Sequence, residues 1–257
     1  MKQLRRWTLK FLLAVMLMML GPISMIAFGN QTDRGPWWSA NRESSGVAPL
    51  PADTPEPVVL VYSARTLGWR GAFAVHTWIA VKPARADSFT VHHVIGWRFY
   101  HGGSPVVSQR SPPDFFWFGA PPQLLAEHRG PAAGRMISKI EQAVVDYPFA
   151  DRYRAWPGPN SNTFVAFIAR SVPELRLDLP TTAIGKDFLG EYSLVASTPS
   201  GTGWQVSLYG LLGLSLSKHE GIELNLLGLS VGIDFDDLAL RLPGLGKVGS
   251  LLAPPGD

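Results

Sequence analysis

Ala72-Phe-Ala-Val-His-Thr-Trp-Ile-Ala-Val-Lys82 is the stretch on which the fold turns. It is rich in β-branched and aromatic residues and ends at Pro83, the make-up of a long buried strand. Residues 58–62 read as a short buried strand before it, and residues 89–97 as a third strand after it. Side chains alternate across a strand, so His76 shares a face with Ala74, Trp78 and Ala80. Val75, Thr77, Ile79 and Val81 face the other way.

Further along, Pro121-Pro-Gln-Leu-Leu-Ala-Glu-His-Arg129 has the look of a short helix closed by Gly130. Pro131 then opens a second helix. In it, Met136, Ile137, Ile140 and Val144 fall at helical spacing, with Arg135, Lys139 and Gln142 on the far side. Phe164, Phe167, Ile168 and Val172 mark a buried helix that starts at about Ser161 and stops before Pro173. Beyond residue 190 the period changes to two. Trp204, Val206 and Leu208 alternate with Gln205, Ser207 and Tyr209. The same alternation runs through Leu212–Ser217, Ile222–Leu227 and Leu229–Phe235, which predicts an antiparallel meander with one face buried. Leu-Leu-Gly-Leu-Ser occurs at 211–215 and again at 226–230, and a hairpin of similar strands turning near 218–221 accounts for both copies.

At the other end of the chain, residues 11–28 form an uncharged apolar run of 18 residues. As a helix it covers about 27 Å, enough for a hydrocarbon core. Lys2, Arg5, Arg6 and Lys10 precede it and no positive charge follows before Arg34, so the N-terminus is expected in the cytoplasm. The length favours an uncleaved inner-membrane anchor. Ala27-Phe-Gly29 would also serve as a signal-peptide cleavage site, so cleavage stays open. The formal net charge of +3 belongs to this flank. With four of the 23 basic residues in the first ten positions, the remainder has 19 basic against 20 acidic, which supplies no stripe for nucleic acid. There is no cysteine, hence no disulfide, thiolate nucleophile or thiolate metal site.

The most distinctive motif is Tyr153-Arg-Ala-Trp-Pro-Gly-Pro-Asn-Ser-Asn-Thr-Phe164. It sets Asn160, Ser161, Asn162 and Thr163 at a helix N-terminus, where free N–H groups can hold an oxyanion or simply be capped. His76 in a strand, followed by Asn160-Ser-Asn-Thr-Phe164 opening a helix, resembles the circularly permuted papain-like peptidases. That resemblance implies Ser161 in the nucleophile's place, His76 as base, and His92 or His93 as the orienting residue. Serine stands where that superfamily uses cysteine, and a serine needs a base within reach. A longer resemblance covers most of residues 37–175. Arg70-Gly-Ala-Phe-Ala-Val-His-Thr-Trp-Ile-Ala-Val-Lys82 and residues 156–164 are similar to the hallmark segments of a bacterial membrane-protein family, domain of unknown function 3750. It implies an envelope protein without a described activity.

No metal or cofactor is expected. His92 and His93 point to opposite faces of a strand and cannot chelate one ion together, and Asp234-Phe-Asp-Asp237 lacks a calcium loop. Phe115-Phe-Trp-Phe118 is read as core filling from two sides, with contact to a lipid surface, an acyl chain or the linker as the alternative.

The expected organisation is α+β. An N-terminal transmembrane segment (1–29) leads through an extended Pro/Ser/Gly linker (30–57) to a papain-like small antiparallel sheet packed by helices (58–190). A C-terminal antiparallel β meander (191–250) and a short tail (251–257) follow. The candidate catalytic residues are Ser161, His76 and His92, and the candidate binding residues are Asn160, Asn162, Thr163, Trp78 and Trp156. The expected setting is the periplasmic side of a bacterial inner membrane reached through residues 11–28, with an envelope small molecule, peptide or lipid as partner. The function is either a hydrolase-like or degenerate site acting on an envelope amide or ester, or a non-catalytic binding or scaffolding module.

Overall fold

The computed structural model describes residues 2–29 and 36–249. Residues 30–35 of the expected linker and the 251–257 tail lie outside them. The chain is α+β: an apolar helix, an antiparallel sheet with helices, then an antiparallel meander.

Helices α1 (Lys2–Met18) and α2 (Leu20–Phe28) run on from one another as a single helix long and apolar enough to cross a membrane. Pro22 has no N–H to give to the preceding turn. The Met19 and Ile23 N–H groups, donating to Val15 and Met19, carry the ladder past it. Most side chains of this helix are exposed, but Met18 and Pro22, midway along the apolar run, are buried. Pro22 meets the turn at 243–245, and α1 touches β10. A Cβ on Gly21 would stand 2.0 Å from the Pro243 carbonyl oxygen, so only glycine permits that approach.

The first sheet has five strands in the order β4-β3-β2-β1-β5, built from β1 (Val58–Arg65), β2 (Val75–Lys82), β3 (Thr90–Val94), β4 (Val106–Arg110) and β5 (Gln123–Arg129). A short helix, α3 (Gly96–Tyr100), follows β3. β2 is buried along its whole length, as its composition predicts. One face of the sheet carries Val59, Val61, Val75, Ile79 and Val81. It packs under α4 (Gly130–Val145) and α5 (Ser161–Ser171) through residues such as Ile140, Phe164 and Ile168. The opposite face carries Leu60, Tyr62, Trp78 and Ala80 and is closed by Phe89, Phe115 and Ala120.

Residues 36–57 are irregular apart from a 3-10 turn at Pro51–Asp53, and they are docked over this second face. The buried Asp114 carboxylate holds them there. It accepts hydrogen bonds from the Ser44 and Ser45 hydroxyls and from the Val47 and Ala48 N–H groups. These donors keep its pKa below the usual carboxylate range against the opposing effect of burial.

Residues 121–129 are not a helix. Residues 123–129 form β5, paired antiparallel with β1 from Val58↔Arg129 to Ser63↔Gln123 through a bulge at Val61/Tyr62. Without β5, the outer backbone groups of a fully buried β1 would have no partners. That requirement outweighs the helical preference of Gln-Leu-Leu-Ala-Glu.

The second sheet is a seven-stranded meander in the order β12-β11-β10-β9-β8-β7-β6. Its strands are β6 (Val195–Ser197), β7 (Gly203–Leu208), β8 (Leu212–Ser217), β9 (Gly221–Leu226), β10 (Leu229–Asp234), β11 (Ala239–Leu242) and β12 (Gly246–Val248). One face is buried, and it is the polar one. Gln205, Ser207, Ser215, Glu223, Asn225, Ser230, Asp234 and Arg241 are all buried. Trp204, Val206, Leu214, Leu216, Ile222, Leu224 and Leu240 are exposed, Trp204 by 69 % and Leu214 by 54 %. The alternation seen in the sequence is present, with its usual sense reversed.

Ion pairs hold the polar face against residues 170–187. Lys186 and Arg241 both pair with Glu223, and Arg241 also meets Asp234 at 3.0 Å and Asp178 at 2.5 Å. Arg170 donates to Gln205 and to the backbone oxygens of Lys186 and Ser197. Burial opposes the charge of Lys186, but the adjoining Glu223 carboxylate overcomes it and raises the pKa.

Candidate functional site

His76 lies on the Trp78 face of β2. Its ring stacks on Trp117 with centroids 3.7 Å apart and planes 7° apart, and its Nε2 is 3.3 Å from His93 Nδ1. His93 meets Phe115 and Trp117 edge-on, and its Nε2 is buried with no hydrogen-bond partner among the described residues. The pair is thus closed under an aromatic lid supplied by residues 115–118. His92 projects from the opposite face of β3, opposite Ile79, and its Nδ1 is 2.7 Å from Ser108 Oγ. Burial pushes His76 well below the usual histidine pKa, with the neighbouring His93 adding to the effect. Burial likewise takes His92 and His93 down to about 4. All three rings are neutral at pH 7.

Asn160, Ser161, Asn162 and Thr163 do open α5, and the helix begins with a full capping box. Asn160 Oδ1 accepts from the N–H groups of Asn162 and Thr163, while Thr163 Oγ1 accepts from the Asn160 N–H and donates to the Gly185 carbonyl. Asn162 Nδ2 donates to the Val75 and Ile184 carbonyls, and its Oδ1 accepts from Thr77 Oγ1. Asn160 Nδ2 adds bonds to Ala155 and Ile184. The motif therefore staples α5, β2 and the 184–185 loop together. The donors of residues 162–164 are used within the chain, leaving them none for a bound oxyanion.

Two of the expected relations are corrected by this arrangement. Ser161 lies over the Thr77 face of β2, where its carbonyl accepts from Thr77 Oγ1 at 3.3 Å. His76 occupies the other face, so the sheet backbone separates the expected nucleophile from its expected base. The physical reason is strand parity: Thr77, not His76, points at α5. His92 is not beside His76 either; the ring that meets His76 is His93. The juxtaposition implied by the papain-like resemblance does not form.

Trp78 is fully buried, with its indole N–H donating to the Pro113 carbonyl at 2.7 Å, so it serves the core. Trp156 is half-exposed and donates to the Leu227 carbonyl, bridging the motif to the second sheet. The peptide bonds Trp156–Pro157 and Gly158–Pro159 are both cis. Beside them lies a groove of about 780 Å³, lined by Phe149, Tyr153, Trp156, Phe188 and Tyr209 together with Arg152 and Arg154. Arg152 is held by Glu191 at 3.4 Å. A groove of this size with aromatic walls and a few polar groups suits a small organic ligand. Sequence reading named only Trp156 as a binding residue, because Phe188 and Tyr209 come from segments far along the chain with no shared local pattern. Among the described residues, no three histidine or carboxylate side chains gather where a metal could bind.

The model of a family described as "Protein of unknown function (DUF3750)" matches residues 56–188. No curated protein and no solved structure matches the chain. The matched span holds the whole first sheet, α4, α5 and the stapling motif, and ends before the meander begins. Covering just over half of the 257 residues, it places the chain in the DUF3750 family of proteins of unknown function.

Proposed function

We propose that this protein is a non-catalytic binding module held at the bacterial inner membrane by α1 and α2, with its domain on the periplasmic side. The groove beside Trp156 is its ligand site. The basic flank at Lys2, Arg5, Arg6 and Lys10 supports the cytoplasmic placement of the N-terminus. The groove carries the binding reading. Its aromatic walls suit the apolar body of an envelope small molecule, peptide or lipid, and Arg154 suits a carboxylate or phosphate.

An aryl carboxylate such as 2-naphthoate, titrated calorimetrically into the full chain in mild detergent, tests the groove. Saturable binding is expected, weakened about tenfold by Arg154→Gln and by Trp156→Ala, the loss of one charge-assisted or stacking contact. Binding indifferent to both substitutions would sink the assignment.

The separation of Ser161 from His76 supports the non-catalytic part, since a serine hydroxyl without a base is a poor nucleophile. A fluorophosphonate probe should leave Ser161 unlabelled. Labelling that disappears in Ser161→Ala would overturn this part of the reading.

A further inference from the structure

We infer that the exposed face of the second sheet is a lipid-contact surface, lying in the leaflet through which α2 leaves the domain. The inference rests on the proposal that α1 and α2 sit in the membrane.

Cross-strand pairing gathers this face into continuous rows. Leu240, Ile233, Ile222, Leu216 and Trp204 stand side by side across five strands, and Val231, Leu224, Leu214 and Val206 form the next row. No side chain in either row is ionisable. The charged residues of the same strands, Glu223, Asp234 and Arg241, point the other way and are locked in the buried ion pairs. The sheet cannot turn its apolar side inward without breaking them. Apolar outside and polar inside is the pattern of strands that face lipid, whereas in water so broad an apolar face promotes association.

The choice of lipid as the occupant comes from the helix. Met18 and Pro22 lie midway along residues 11–28, yet they are already packed on the domain, and α1 touches β10. A bilayer that covers the apolar run therefore reaches the domain at β10 and the 243–245 turn. The rows begin at that same level, with Trp204 toward their far end as an amphipathic anchor.

The natural lack of cysteine allows single-site labelling of the full chain. Leu214→Cys and Leu224→Cys, both at exposed positions, would carry a nitrobenzoxadiazole fluorophore in vesicles of phosphatidylethanolamine and phosphatidylglycerol. Ser138→Cys, exposed on α4, is the solvated control, and Leu12→Cys reports on the span. Nitroxide lipids should quench the sheet labels about twofold more than the Ser138 label, with blue-shifted emission, as expected of an interfacially buried surface. Quenching at Leu12 but not at Leu214 or Leu224 would overturn the inference and leave the anchor standing. No quenching at any of the three would remove the anchor and the inference with it. Blue-shifted sheet labels that escape lipid quenching, in a protein that crosslinks as a dimer, would overturn it in favour of a second copy of the chain.

Discussion

Acidification from pH 7 to pH 5 should cost this protein about 4 kcal/mol of folding stability through His92 and His93 alone. Their folded pKa values of about 4 lie below the ordinary 6.5 because burial disfavours the imidazolium. Between those values the unfolded chain binds protons that the folded chain refuses, so stability is complete above pH 6.5 and falls as the pH drops toward 4. Each ring contributes about 1.4 kcal/mol per pH unit inside that window. His76, shifted in the same direction by burial and by the neighbouring His93, adds to the slope. His76 and His93 face Trp117, Phe115 and one another while His92 faces Ser108 on the other side of the sheet, and among the described residues no carboxylate is hydrogen-bonded to any of the three rings to rescue a positive charge. Urea unfolding of the full chain in mild detergent at pH 7.5, 6, 5 and 4.5 would measure the slope. A midpoint unchanged between pH 7.5 and 5 would contradict the sealed-cluster description, and His93→Phe should flatten the dependence.

Replacing Arg241 by methionine should destabilise the chain by about 3–5 kcal/mol, the usual consequence of leaving a buried carboxylate without its cation. Arg241 pairs with Glu223, Asp234 and Asp178, and the first two are buried with it. Lys186 remains for Glu223 and Lys247 for Asp234, so the loss is partial. The expected damage is local as well as global. The second sheet is held to residues 178–187 through these pairs, so its strands should become protease-sensitive before the first sheet does. Glu223→Gln added to Arg241→Met should cost less than Glu223→Gln alone, because the Arg241–Glu223 pair is already gone, although Lys186 also loses its carboxylate partner. An additive double mutant would show that the two side chains do not act as a pair.

Much of the fold was legible in the sequence, and each failure has a definite cause. β1 to β3, α4 and α5 announce themselves by composition and period, and the capped start of α5 by Asn160-Ser-Asn-Thr163. β5 was hidden because Gln-Leu-Leu-Ala-Glu prefers a helix. Only the unpaired edge of β1 makes it a strand. A period of two states that the faces of a strand differ without stating which one meets the interior. That ambiguity explains two results at once. It left open whether His76 or Thr77 would face α5, and it left the meander's Leu and Trp rows free to lie on the outside. The groove depends on residues 149–159 meeting residues 188–211, a relation that no local pattern records.

The contact of Pro22 and Gly21 with the 243–245 turn bears on how the domain can move. A flexible leash would let a domain tumble above the bilayer and sample every heading. A helix seated on the domain partway along its length acts instead as a fixed mast, set at one angle. With the helix in a membrane as proposed, the opening beside Trp156 would keep a constant bearing to its plane, and a ligand of the proposed kind would reach it from one side only.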